Sequence, residues 1–170
     1  MSIPDYAHQL RVLVGPEHLL WLPGVNAIVV DGDGCVLLHR RSDNGVWSLL
    51  SGILDPGEEP ADGVVREVFE ETGVRVRVER LTGVTVSPPR VHPNGDRAQY
   101  LELVFLCTPV SGEAHVHDEE SVEVAWFPRD GLPRLDARSL QKLQQAISGS
   151  AEASFLPPAA DIPGDREAAV

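Results

Sequence analysis

The stretch from Gly52 to Val74, GILDPGEEPADGVVREVFEETGV, restricts this chain more than any other part of it. Its second half reads as one helix. Pro60 suits a first helical position, where a backbone N–H would have no partner anyway. Gly73 suits the left-handed residue just past a helix end. Between them Ala61, Val64, Val65, Val68 and Thr72 recur at helical spacing and form a stripe that can pack on a sheet. Glu67, Glu70 and Glu71 stand at i, i+3 and i+4, so their carboxylates share a second face beside that stripe.

An acidic face of this kind is costly for a helix without a ligand. Like charges at this spacing repel by about 0.2–0.5 kcal/mol per pair. Glu70 and Glu71 also occupy the last turn, where the helix dipole favours cations. Only Arg66 supplies positive charge nearby. A solvated face is the ordinary reading of a Glu-rich helix, but a bound divalent cation accounts for more. Mg²⁺ takes oxygen ligands from one or two carboxylates and from substrate phosphates.

The spacing resembles the Nudix box: Gly, five residues, Glu, seven residues, Arg-Glu, an aliphatic, any residue, Glu-Glu, any residue, Gly, an aliphatic. Gly52, Glu58, Arg66, Glu67, Val68, Glu70, Glu71, Gly73 and Val74 fill every fixed position. Related proteins usually carry Pro-Gly before the first glycine, where this chain has Leu50-Ser51. The resemblance implies an α/β protein, a Nudix-type α/β/α sandwich with a mixed β-sheet, reaching from about Pro23 to Ile147. It also implies a hydrolase that uses Mg²⁺, with Mn²⁺ as a substitute. By the family's pattern the metal set is Glu67, Glu70, Glu71 and the Gly52 backbone carbonyl, with Glu58 as an extra or outer ligand. Arg66 would orient a box glutamate through paired hydrogen bonds; as an ordinary surface ion pair it would be worth little.

The general base in such proteins is a box glutamate, Glu67 or Glu70 here, or an acidic residue from a late loop. The loop His117-Asp118-Glu119-Glu120 precedes the strand ending at Trp126-Phe127, which puts Glu120 in the right region. A solvated acidic loop is the alternative. Some relatives that split ADP-ribose carry a proline in the loop beyond the box, where Pro89 stands. Arg40, Arg90, Arg97 and Tyr100 are candidates for phosphate contact or base stacking, each with a plain surface role as its competitor. The implied substrate is a nucleoside diphosphate linked to another moiety, with ADP-ribose-like compounds favoured. The competing reading is a house-cleaning enzyme for (deoxy)nucleoside triphosphates. A third is a nucleotide sensor without turnover, but such domains carry a damaged box or a DNA-binding partner domain, and this chain shows neither.

The remainder of the sequence sets bounds. At 170 residues the chain suits one domain with a core. A net charge of −12 argues against nucleic acid or anionic membrane as the main partner. No apolar run reaches spanning length, and MSIPDYAHQL lacks the features of a signal peptide. Cys35 and Cys107 have no spaced partners and read as buried free thiols, so a cytoplasmic setting is expected. Residues 1–20 read as an N-terminal helical extension, 21–147 as the hydrolase domain, and 148–170 as a mobile Pro-, Ala- and acid-rich tail. In the extension a helix over 4–14 places Tyr6, Leu10 and Val14 on one side, against the domain or a second subunit in a homodimer. Leu19–Val30 reads as two strand segments broken at Pro23-Gly24, followed by a turn at 31–34 and a returning strand over 35–38. Further strands are expected over 47–50, 74–86, 100–107 and 122–127, the third of them at a sheet centre. A last helix runs from an Asp136 cap to Ile147, burying Leu140, Leu143 and Ile147.

Overall fold

The computed structural model describes residues 4–92 and 94–157. Its elements in chain order are α1 (Asp5–Val14), β1 (Leu20–Val29), β2 (Val36–Arg41), β3 (Trp47–Ser48), β4 (Leu50–Ile53), α2 (Pro60–Thr72), β5 (Arg75–Val86), β6 (Arg90–Val91), β7 (Arg97–Ser111), β8 (Ser121–Phe127) and α3 (Ala137–Ile147). The larger sheet has the order β4-β1-β7-β5, with β6 also on β7. Strands β1 and β7 run parallel, and the other pairs are antiparallel. The sheet is therefore mixed.

Alternation along β1 and β7 divides the core. Val25, Ala27, Val29, Phe105 and Cys107 face α2 and pack with Val64 and Val68. Ile28 and Val104 face the other way, onto Leu143 and Ala146 of α3. Fully burying one such Val, Leu or Ile side chain contributes about 1.5–3 kcal/mol. One helix on each face completes the α/β/α sandwich.

The helix ends follow the sequence. Gly73 has φ 71° and its N–H donates to the Phe69 carbonyl, closing α2. Asp136 caps α3 by accepting from the N–H groups of Arg138 and Ser139. In the 31–34 turn, Asp31 Oδ1 accepts from the N–H groups of Asp33 and Cys35. Cys35 is half-buried, Cys107 fully buried, and both are free thiols.

Four expectations change. The two segments expected over Leu19–Val30 are one strand, Leu20–Val29, because Pro23 and Gly24 both keep their places in the β1 ladder. The Pro23 carbonyl accepts from Leu54 N–H at 3.2 Å, and a Cβ on Gly24 would lie 3.3 Å from the Gly52 carbonyl oxygen. The lost donor of proline is tolerated, and the glycine allows close strand packing. Second, β2 does not return beside β1. A single bridge, Val30↔Val36, joins them, and β2 pairs with β3 and β8 in a separate antiparallel sheet.

Third, α1 buries Ala7 and packs Tyr6 against Leu20, Leu22 and Ala98, while Leu10 and Val14 stay exposed. Arg11 anchors this helix instead, donating to the carbonyls of Gly15 and His18 and pairing with Asp96 at 3.1 Å. Fourth, the tail is attached at its start. Ser154 N–H donates to the Thr82 carbonyl, and Val84 N–H to the Ser154 carbonyl, both at 2.9 Å. Residues 158–170 of the expected mobile tail lie outside the described residues. Among the described residues no helix is long and apolar enough to cross a membrane.

Candidate active site

The loop after β4 delivers Glu58. Glu58 N–H donates to the Asp55 carbonyl at 3.0 Å and Gly57 takes φ 85°, so the chain turns sharply at Asp55-Pro56-Gly57. Arg66, in the second turn of α2, grips the Glu58 carboxylate with two donors, Nε at 2.7 Å and Nη2 at 2.8 Å. Its Nη1 reaches Glu67 at 2.9 Å and Glu70 at 3.1 Å, and Nη2 also donates to the Ile53 carbonyl. One guanidinium thus ties the pre-helix loop, the end of β4 and two helix glutamates together. Arg66 holds the Glu58 carboxyl below its ordinary range, and Glu58 in turn holds the guanidinium firmly charged.

Glu67 lies across Gly52. A Cβ there would sit 1.8 Å from the Glu67 carboxyl carbon, so only glycine fits beneath that carboxylate. Glu67 is 6% exposed and Glu71 2%. Burial raises the pKa of Glu67, with Arg66 opposing. Burial, then the charges of Glu67 and Asp118, push Glu71 far above the ordinary carboxylate range. Glu71 accepts from Ser51 N–H at 3.3 Å and lies 3.7 Å from His39 Nδ1. That imidazole, bonded to Ser121 Oγ at 2.9 Å, is pushed down to about 4 by burial, so the contact is not an ion pair at neutral pH. Glu70 is half-exposed beside them.

These carboxylates suit a hard divalent cation. Two are buried and driven towards protonation by burial first and then by a neighbouring carboxylate, Glu70 beside Glu67 and Glu67 beside Glu71, the penalty that a cation removes. Among the described residues no three His, Cys, Asp or Glu side chains close into a ready cage. Carboxylate oxygens are the donors that a hard cation such as Mg²⁺ takes, alongside water and phosphate oxygens.

An open cavity of about 1290 Å³ adjoins the glutamates, with Gly52, Glu67 and Glu70 in its wall. Arg41, Arg90, His92 and Tyr100 also line it, as does the 117–120 loop with Glu120. Glu120 is half-buried, its N–H held by Asp118 Oδ1 and its carbonyl by Ser42 N–H. Tyr100 OH and His92 Nε2 are 2.9 Å apart. The Arg90 guanidinium makes no hydrogen bond or ion pair with a described residue. Three of the substrate-contact candidates fall outside the cavity wall. Arg40 pairs with Glu123 at 3.3 Å, Pro89 is exposed in the loop beyond β5, and Arg97 turns to the Glu17 carbonyl.

Of the basic run His39-Arg40-Arg41, which the sequence offers as a whole for phosphate contact, Arg41 is the member that faces the cavity, held by Asp43. Sequence reading passed over several lining residues. Asn26, Glu102 and Lys142 are buried at the floor, between α1 and α3. A signal was present: Asn26 and Glu102 each interrupt a strongly apolar strand.

Known proteins agree with this architecture. The NUDIX domain family matches residues 20–146. A MutT-like protein of Streptomyces ambofaciens is 44% identical over 115 residues, 68% of this chain and 67% of that protein. An ADP-ribose pyrophosphatase of Methanocaldococcus jannaschii is 34% identical over 116 residues, covering 64% of this chain and 66% of its own length. The crystal structure of a UDP-X diphosphatase superposes with a TM-score of 0.61 at 27% identity, over 87% of this chain and 73% of that one. With an unbroken box folded onto such a cavity, this chain belongs to the Nudix family of pyrophosphohydrolases.

Proposed function

We propose that the protein is a Mg²⁺-dependent hydrolase that cleaves the diphosphate of a nucleoside diphosphate linked to another moiety, with ADP-ribose-like compounds the favoured substrates. The observation that carries this reading is the pair of buried, mutually repelling carboxylates of Glu67 and Glu71 beside a nucleotide-sized cavity. The relative named an ADP-ribose pyrophosphatase supports the substrate class. Glu67, Glu70, Glu71 and the Gly52 carbonyl would hold the cation, which supplies charge neutralisation at the phosphates and a more acidic water.

The chain's own groups do the rest. Arg66 keeps Glu67 and Glu70 in one orientation, so little reorganisation is needed when charge develops on the phosphates. Arg41 and Arg90 offset phosphate charge from the cavity side. Tyr100 offers aromatic surface to a base or sugar. Glu120 accepts a proton from the attacking water, and the box glutamates Glu67 and Glu70 are the competitors for that task.

The direct test is Mg²⁺-dependent product analysis over a panel including ADP-ribose and dGTP. AMP with ribose phosphate is the expected outcome. A monophosphate with pyrophosphate would instead establish the triphosphate-cleaning reading. Nucleotide binding without turnover would establish a sensor. Glu120→Gln should lower kcat by about 10²-fold or more with KM little changed, the size expected when a general base is lost. An unchanged rate would return Glu120 to an ordinary loop role.

A further inference from the structure

The cavity floor holds a buried charged network that the hydrolytic reading does not use. Lys142 of α3, 7% exposed, donates to Asn26 Oδ1 at 3.0 Å and pairs with Glu102 Oε1 at 2.9 Å. Glu102 Oε2 accepts from Thr85 Oγ1 at 3.1 Å and Arg138 Nη2 at 3.2 Å. Burying ions in this way costs several kcal/mol each, and well-packed apolar residues often serve stability equally well. All but Thr85 of these groups line the cavity.

Lys142 fixes the Asn26 amide. Its ammonium has donors only, so the Asn26 oxygen must face it and the Nδ2 group must turn away. That Nδ2 makes no hydrogen bond with a described residue, although Asn26 is 7% exposed. The Nδ2 atom is not itself sealed off, so an acceptor that enters the cavity can reach it. The Lys142 ammonium likewise commits two of its three donors within the network. Tyr100 stands two residues from Glu102 on the same strand and face, and adds aromatic surface next to these donors.

We infer that Asn26 and Lys142 form a specificity-determining subsite that donates hydrogen bonds to acceptor atoms, ring nitrogen or carbonyl oxygen, on the edge of the substrate's nucleobase. The inference rests on the hydrolase reading for its substrate class. A phosphate is the poorer occupant here. Lys142 and Arg138 already share the Glu102 carboxylate, so their charge is largely offset locally, whereas Arg90 is free of such a partner among the described residues. An aromatic surface beside two uncharged-acceptor readers is the arrangement that selects a base.

Calorimetry with ADP, GDP, UDP and inorganic pyrophosphate, in Mg²⁺, tests this on the full chain. Binding needs no turnover, so the outcome is independent of whether hydrolysis is found. The wild type should bind at least one nucleoside diphosphate more tightly than pyrophosphate and should separate the three bases. Lys142→Met should weaken the preferred nucleotide by about tenfold or more, the worth of a good paired contact to a base edge, and flatten the differences among bases. Pyrophosphate binding should not change. Asn26→Leu, which keeps the Lys142–Glu102 pair, should act the same way if Lys142→Met folds poorly. Equal weakening of pyrophosphate and nucleotides would overturn the proposal, as would unchanged nucleotide affinity, or a wild type that binds nucleotides no better than pyrophosphate.

Discussion

Replacing Glu71 by Gln is expected to stabilise the metal-free protein while lowering kcat by about 10²–10³-fold, the size of loss when one pre-organised electrostatic contact is removed. The two effects share one cause. Glu71 is buried beside Glu67, and that burial with the neighbouring charge raises its pKa well above the ordinary carboxylate value. The folded state therefore holds a proton that the unfolded chain releases, and stability falls as pH rises from that ordinary value towards the raised one. Glutamine keeps the shape and can still accept from Ser51 N–H, but has no charge to desolvate. In chelator, the melting temperature of Glu71→Gln should exceed that of wild type by a margin that grows with pH over this window. Added Mg²⁺ should raise wild type and leave the variant nearly unmoved. A variant that turns over normally would remove Glu71 from the metal set.

Gly52→Ala should have the second large effect, and by a steric route. The new methyl would stand 1.8 Å from the Glu67 carboxyl carbon and 1.9 Å from its Oε1. Backbone retreat is blocked, because β4 is laddered to β1 with Gly52 opposite Val25. Glu67 must swing out, leaving Arg66 without one of its acceptors. Overpacking of this kind costs about 1–3 kcal/mol, so the fold should survive with a lowered melting temperature. Mg²⁺ titration should show weakened binding, and kcat should fall by about 10²-fold, since misplacement of about an ångström near the reacting groups has that cost. Near-normal kcat and Mg²⁺ affinity would show that Glu67 reaches the metal from another position.

The contrast between these residues and the cavity floor explains what was legible beforehand. Glu67, Glu70 and Glu71 lie within two turns of one helix, so their spacing alone brings them together. Glu58 and Arg66 are near enough in the chain for a turn and a helix start to align them. Asn26, Glu102 and Lys142 meet only because β1 and β7 pair in parallel, 76 positions apart in the Asn26–Glu102 case by their numbering, and α3 then covers that face. Local pattern carries no information on such pairing. The break expected at Pro23-Gly24 failed for a related reason: a weak local preference gave way to two neighbouring strands that fix the backbone on both sides. The turn at 31–34 was read correctly, yet the strand after it crosses to a second sheet, because His39 and its neighbours pair with β8.

Ser154 has a consequence beyond tethering the tail. Strand β5 forms one border of the larger sheet, and a border strand offers unsatisfied N–H and C=O groups to any passing extended chain. This border is defended along its length. Ladder irregularities interrupt it between Arg75 and Val76, Val78 and Arg80, and Leu81 and Gly83. Arg75, Arg77 and Glu79 put exposed charge along its first half. The remaining gap, at Thr82 to Val84, is filled by Ser154, which takes up the groups that a foreign strand would seek. The segment after the last helix thus acts as a guard against self-assembly, keeping the sheet finite in a protein whose Glu67 carboxylate lies against Gly52 of β4, at the opposite border.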